Sequence, residues 1–209
     1  MSAEVKICGV NDGAAFDAAA SAGAAWVGFV FVPLSPRAVT LGEAASLSQR
    51  MPGGPGRVGL FVDPADDDIA RALAVVALDA VQLYASAARA AEVRARFGVA
   101  TWLAVGVAGP DDLPREAPPG VDRLLLDAKA PAGAALPGGN AHPFDWAMLR
   151  GWRAPLPWML AGGLAPGTVA EAIRRSGALG VDVSSGVERA RGVKDPGLIR
   201  AFIKAAHAA

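Results

Sequence analysis

The sequence predicts an α/β protein: a single compact, closed (β/α)8 barrel of the TIM type with eight parallel strands, occupying residues 1–209 as one domain. Three observations lead there. Short apolar runs recur at intervals of roughly 21 to 34 residues, and the stretches between them space their apolar positions as helices do. Most of the runs are continuous rather than alternating, the pattern of strands covered on both faces of a parallel sheet. Polar residues and glycines gather where the runs end, and the C-terminal strand tips of a barrel carry its function. A doubly wound open sheet is the alternative that the same alternation allows.

In chain order the strand candidates are 5–8, 26–31, 58–62, 80–83, 102–107, 124–126, 158–161 and 181–183. Segments 87–97 and 168–176 read as helices. In the second, Val169, Ala172 and Ile173 share one face while Arg174 and Arg175 point to solvent. Pro166 suits a first helical turn and Gly177 a helix stop. The stretch 109–120 carries Pro110, Pro114, Pro118 and Pro119, so the fifth helix is expected to be degenerate. Two connections, 32–40 and 128–143, are longer than the rest, and long loops at strand tips tend to be functional. The second is rich in Gly, Ala and Pro and reads as a flap.

Composition narrows the function classes. With 53% apolar and 19% charged residues, the chain can bury a sizeable core. Twenty basic residues balance twenty acidic ones, which argues against a nucleic-acid platform or a polybasic membrane surface. No apolar run is long enough to suggest a membrane span, and the start lacks a secretory pattern, so a cytoplasmic protein is expected. The lone Cys8 excludes an internal disulfide and a thiolate metal cluster, and two histidines, His142 and His207, speak against a zinc site. No metal is expected.

Four strand tips stand out. Lys6-Ile7-Cys8-Gly9 ends the first strand, and Leu125-Leu126-Asp127 the sixth. Ala161-Gly162-Gly163 ends the seventh, and Asp182-Val183-Ser184-Ser185-Gly186 the eighth. Glycine pairs and Ser-Ser-Gly after the last two strands suit a phosphate site, where backbone N–H groups approach an anion closely. The alternative is that Gly162 and Gly163 only turn the chain. Asp127 follows three leucines; desolvation should raise its pKa and let it carry a proton near neutrality. Otherwise it is a helix cap or an ion-pair partner of Lys129. Cys8 is either a buried structural thiol or a catalytic one, with Lys6 on its face if the strand is regular. Arg37 in the first long loop is either solvated or a clamp for a carboxylate.

Together these residues resemble phosphoribosylanthranilate isomerases. Lys6-Ile7-Cys8-Gly9, Gly28-Phe29-Val30-Phe31, Ser35-Pro36-Arg37, Val58-Gly59-Leu60-Phe61-Val62, Leu125-Leu126-Asp127, Leu160-Ala161-Gly162-Gly163-Leu164, Asp182 to Glu188 and Gly192-Val193-Lys194-Asp195 follow the family's order over nearly the whole chain. The resemblance implies a cofactor-free Amadori rearrangement of a phosphorylated small-molecule substrate in tryptophan biosynthesis, by a monomer or homodimer. Asp127 would be the general acid and Cys8 the general base. Arg37 would hold the anthranilate carboxylate, Asp182 a sugar hydroxyl, and Gly162, Gly163, Ser184, Ser185 and Gly186 the phosphate.

The chain departs from the family pattern in places. Tyr84 stands where the family usually has histidine, and is placed near the substrate with Asn140 of the flap. Ala141 replaces a flap glycine, and His142 is a loop residue or a partial substitute for the missing histidine. Asn11 replaces a threonine and is expected to cap the first helix. Rival readings are another phosphate-binding barrel of histidine or tryptophan synthesis, and a silent paralogue that binds a phosphorylated metabolite.

Overall fold

The computed structural model describes residues 2–129 and 144–209, so Asn140, Ala141 and His142 lie outside the described residues. Eight strands form a closed parallel barrel in chain order: β1 (Glu4–Cys8), β2 (Trp26–Val30), β3 (Gly56–Val62), β4 (Ala80–Tyr84), β5 (Ala100–Val107), β6 (Arg123–Ala128), β7 (Trp158–Leu160) and β8 (Gly180–Val183). β8 pairs back onto β1 from Glu4↔Gly180 to Ile7↔Val183. That closure rules out the doubly wound open sheet.

The outer layer comprises α1 (Gly13–Ser21), α2 (Leu41–Ser48), α3 (Asp66–Val75), α4 (Ala87–Phe97), α5 (Val169–Ser176) and α6 (Pro196–His207). After β5 the prolines leave only a 3-10 turn, Pro110–Asp112, the degenerate fifth helix expected from sequence. In the described part of the connection after β6, residues 144–157, there is a 3-10 turn at Trp146–Leu149. Gly151, with φ of +86°, and the following Pro155 and Pro157 stop it from extending. Side-chain caps set several helix starts: Thr40 and Glu43 form a capping box on α2, and Ser86 caps α4. For α1 the expectation is corrected. Asp12, not Asn11, is the cap, accepting from the Ala15 N–H at 2.8 Å. Asn11 instead donates through Nδ2 to the carbonyl of Gly192, 3.0 Å away.

Strand alternation sorts the residues into two phases. Val5, Ile7, Val27, Phe29, Phe61, Val81, Leu83, Leu124, Leu126, Val181 and Val183 face outward into the main core beneath the helices. The other phase fills the barrel. Its floor is Val58, Ala80, Trp102 and Met159, with Trp26 packed against them. The indoles of Trp26 and Trp102 meet edge to face at 4.9 Å, and the Arg123 guanidinium lies 4.8 Å from the Trp102 centroid. Higher up, the same inward phase presents Lys6, Cys8, Tyr84, Asp127 and Asp182, so the residues read at the strand tips converge on one mouth. A short hairpin of β9 (Glu188–Ala190) and β10 (Val193–Lys194) follows β8 and crosses that mouth.

Candidate active site

Cys8 ends β1 and is 5% exposed. Its neighbour across the sheet is Gly28. A Cβ on Gly28 would come within 3.2 Å of Cys8 Sγ and 3.3 Å of Lys6 Nζ, so glycine there makes room for thiol and ammonium side by side. The regular strand puts Lys6 and Cys8 on one face, and Lys6 is fully buried, donating to Asp182 Oδ1 at 2.8 Å. Burial pushes the Cys8 thiol up; the charges of Lys6 and Lys194 pull it back in part, and the net position is above the ordinary value. Burial alone would depress Lys6, but the Asp182 carboxylate and Cys8 hold it raised.

Across the mouth, Asp127 is 6% exposed at the end of β6. Its Oδ1 accepts from the Ala128 N–H and its Oδ2 from the Tyr84 hydroxyl, each at 2.8 Å. Desolvation raises its pKa to about 6 against the pull of these bonds, with the Asp182 charge adding to the rise. That is the direction read from the three leucines. Lys129 takes no part: it pairs with Asp112 at 3.1 Å. The Tyr84 phenol is pushed well above its usual value by burial and by the Asp127 charge.

Arg37 is 8% exposed, not a solvated loop arginine. Its stem lies over Gly9, whose φ of +71° brings the backbone so close that a Cβ would sit 2.7 Å from Arg37 Cδ. The guanidinium is already clamped. Nε and Nη2 donate to the two carboxylate oxygens of Glu188 at 2.6 and 3.0 Å. Glu188 also accepts from the Gly192 N–H at 3.0 Å and from Lys194 Nζ at 2.9 Å. Burial would raise Glu188, but Arg37 and Lys194 together hold it at about 2. Lys194 itself is buried and donates on to the carbonyl of Ser184 at 2.8 Å and to its hydroxyl at 3.2 Å. Burial lowers the Lys194 ammonium, and Glu188 restores it only in part. Sequence reading gave Glu188 and Lys194 no role. In the sequence they appear as members of two stretches that follow the family's order, Asp182 to Glu188 and Gly192 to Asp195, among other charged residues after the eighth strand.

Both glycine loops stand beside this network. Gly162 and Gly163 adopt left-handed conformations, with φ of +85° and +67°. A Cβ on Gly162 would lie 2.7 Å from the Ala128 nitrogen, and one on Gly186 only 1.9 Å from the Leu164 carbonyl oxygen. The loops after β7 and β8 are therefore pressed together, and Ser185–Val187 makes a 3-10 turn. The N–H groups of Gly163, Ser185 and Gly186 donate to no backbone carbonyl among the described residues. Adjacent uncommitted donors of this kind fit an anion. No group of His, Cys, Asp and Glu among the described residues is arranged to hold a metal ion. No helix there is long and apolar enough to cross a membrane.

A profile of the N-(5′-phosphoribosyl)anthranilate (PRA) isomerase family matches residues 5–205. The chain belongs to that family. The N-(5′-phosphoribosyl)anthranilate isomerase of Acidiphilium cryptum is 54% identical over 209 residues, covering 99% of this chain and 100% of that protein. The crystal structure of phosphoribosyl anthranilate isomerase from Thermotoga maritima superposes with a TM-score of 0.84 at 32% identity, covering 99% of this chain and 100% of that one. A phosphoribosyl anthranilate isomerase crystallised with reduced 1-(o-carboxyphenylamino)-1-deoxyribulose 5-phosphate gives 0.83 at 32% identity, with the same coverage. Set against the family pattern, Tyr84 keeps a polar contact at the histidine position by reaching Asp127, and Asn11 exchanges a capping role for a tie to the hairpin.

Proposed function

We propose that the chain isomerises N-(5-phosphoribosyl)anthranilate to 1-(2-carboxyphenylamino)-1-deoxyribulose 5-phosphate in L-tryptophan biosynthesis, as a single cytoplasmic catalytic domain acting as monomer or homodimer. The observation that carries this reading is the placement of Asp127, held at about 6, across one mouth from the buried thiol of Cys8.

The chemistry follows from those two groups. The protonated Asp127 is the source of the proton that the ring oxygen takes up as the bond from that oxygen to C1 breaks, and the anilino nitrogen lone pair forms a Schiff base. Cys8, as thiolate, removes the proton on C2; the C–H electrons form a C1–C2 double bond and the nitrogen recovers its pair. The resulting enolamine tautomerises to the ketone. Oxidation at C2 balances reduction at C1 within one molecule, so the reaction requires no external redox partner. The ammonium of Lys6, beside Cys8, favours the thiolate when the base is formed.

Both ends of the substrate have candidate holds. Glu188 occupies the Nε–Nη2 edge of Arg37, so the anthranilate carboxylate takes the remaining Nη1–Nη2 edge. Gly162, Gly163, Ser184, Ser185 and Gly186 supply the phosphate cradle. Asp182, with Oδ1 held by Lys6, offers Oδ2 to a sugar hydroxyl. Asn140 is assigned to the flap over the substrate, outside the described residues. Fixing a substrate at both ends contributes through orientation.

The test is turnover of phosphoribosylanthranilate, generated in place from anthranilate and phosphoribosyl pyrophosphate and followed by loss of its fluorescence. The parent should turn over, and Cys8→Ala and Asp127→Asn should each lose about 100-fold or more. A folded parent that binds a reduced product analogue without turnover would instead identify a silent binding protein.

A further inference from the structure

The carboxyl group of Asp127 is not symmetrical in its surroundings. Oδ1 is enclosed by backbone, accepting from the Ala128 N–H at 2.8 Å and lying 3.1 Å from where a Cβ on Gly162 would be. A backbone N–H has no freedom to turn away, so a proton on Oδ1 would compete with a fixed donor. Oδ2 has its hydrogen bond, among the described residues, from the phenol of Tyr84, whose hydroxyl hydrogen rotates about the Cζ–Oη bond. The acidic proton therefore resides on Oδ2, and when it is present the phenol must reverse its bond and accept.

Tyr84 also occupies the space between acid and base. Its ring packs against the cluster of Cys8, Val30 and Leu60, while its hydroxyl reaches Asp127. It is half-buried at the tip of β4, whereas Asp127 is nearly enclosed. With the phenol oxygen accepting from Asp127, the phenol hydrogen is free to be donated to a second acceptor.

We infer that Tyr84 is a proton relay in the isomerisation: Asp127 passes its proton to the phenol oxygen while the phenol hydrogen goes to the substrate ring oxygen. The proton count balances. Asp127 ends as a carboxylate, Tyr84 ends as a neutral phenol hydrogen-bonded to it, and the ring oxygen leaves as a hydroxyl. This rests on the isomerase reading above. A histidine at this position could serve in the same way, since imidazole likewise accepts on one atom and donates on another.

The groups facing Asp127 are Tyr84 from β4, Asp182 from β8 and Lys6 from β1. Cys8 stands above its ordinary thiol value and Asp127 near 6, so the resting site keeps its proton on sulfur. The working form, with Asp127 protonated and Cys8 ionised, binds the same number of protons. The rate is then flat between the two pKa values and falls below that of Asp127. Tyr84 lowers the Asp127 pKa by its hydrogen bond, so removing the hydroxyl moves this acidic limb upward.

The experiment measures pH profiles of kcat for the parent, Tyr84→Phe and Tyr84→His, with affinity for the reduced product analogue as a control on the site. The substrate phosphate titrates near 6 as well, but it is common to all three proteins, so only displacements between profiles are read. A relay requires Tyr84→Phe to lose about 100-fold or more across the plateau, with its acidic limb moved up and analogue affinity kept within a few-fold. Tyr84→His should recover at least ten-fold of that loss. A Tyr84→Phe protein that keeps its plateau rate while its limb moves would make Tyr84 a modulator of the Asp127 pKa and overturn the relay. Analogue affinity falling as far as kcat/KM would make it a binding residue and overturn the relay too. A parent without turnover sinks the isomerase reading and the relay together; an active parent with an unimpaired Tyr84→Phe sinks the relay alone.

Discussion

The two ends of the barrel are made from the same inward-facing phase of the same strands, and they do opposite things. At the floor, Val58, Ala80, Trp102 and Met159 close the barrel with Trp26, and Arg123 spreads over two indole faces and pairs with Glu4. At the mouth, the strand residues Lys6, Asp127 and Asp182 are less than a tenth exposed, as are Arg37 from the loop after β2 and Lys194 from the hairpin above them. Some strands cross from one regime to the other within a turn of the pleat: on β4 Ala80 gives way to Gln82 and Tyr84, and on β6 Leu125 gives way to Asp127. Gln82 marks the border, buried with both amide atoms unpartnered among the described residues. The difference shows where the barrel gains its stability and where it gives some up for chemistry.

The sharpest break between the ends should come from Asp127→Asn. We expect kcat to fall about 100- to 10,000-fold while the melting temperature stays level or rises. The sign follows from the raised pKa. A carboxyl at about 6 when folded and near 3.8 when unfolded favours the folded state below the unfolded value, and that advantage disappears as pH climbs through 6. At neutral pH the ionised group opposes folding by on the order of 3 kcal/mol, part of which asparagine relieves. Thermal melts beside the activity assay decide it; a lower melting temperature would break the proposed trade.

The floor should behave in the opposite sense. Trp102→Ala is expected to lose about 3–5 kcal/mol in denaturant melts, with kcat per folded molecule nearly unchanged. Next in size is Glu188, held at about 2 when folded against 4.5 when free. Its contribution is complete above the unfolded value and is lost as pH falls from about 5 towards 2, by on the order of 3 kcal/mol. Acid titration of Glu188→Gln should show a lower starting stability and a flatter fall across that window. The smallest effect is Asn11→Ala, about 1 kcal/mol for one side-chain bond to the hairpin, seen as a rise in KM larger than any fall in kcat.

The fold was legible because its signal is local. A strand buried on both faces has to be a continuous apolar run, and each of the eight runs contains the core of an observed strand, with ends differing by one or two residues where ladder bonds continue into polar sequence, as at Arg123 and Tyr84. Helix α4 was readable to its ends because Ser86 caps it and Gly98, at φ +66°, stops it. The strand-tip residues were legible for the same reason. Glu188 and Lys194 were not, because their meaning lies in contacts that no local pattern encodes: Glu188 meets Arg37 across 151 positions of sequence. Asn11 misled for a related reason. Asn and Asp stand side by side there, both good caps, and only the distant Gly192 carbonyl decides which one turns outward.

That separation along the chain also sets the order in which the site comes into being. When Arg37 emerges during synthesis, the carboxylate that will hold it is still 151 residues from being made. At translation speeds of about 5–20 residues per second, roughly 8–30 s pass before Glu188 exists. Throughout that interval Arg37 has strong reason to stay in water, since a buried charge without its partner is unfavourable. The mouth is thus finished from the far end of the chain, and a nascent barrel with seven strands in place would still present Arg37 and the bare loop around Pro36 to the solvent. A ribosome stalled before codon 188 should carry a protein with a proteolytically open second loop, and the chain released from the ribosome should carry that loop sealed.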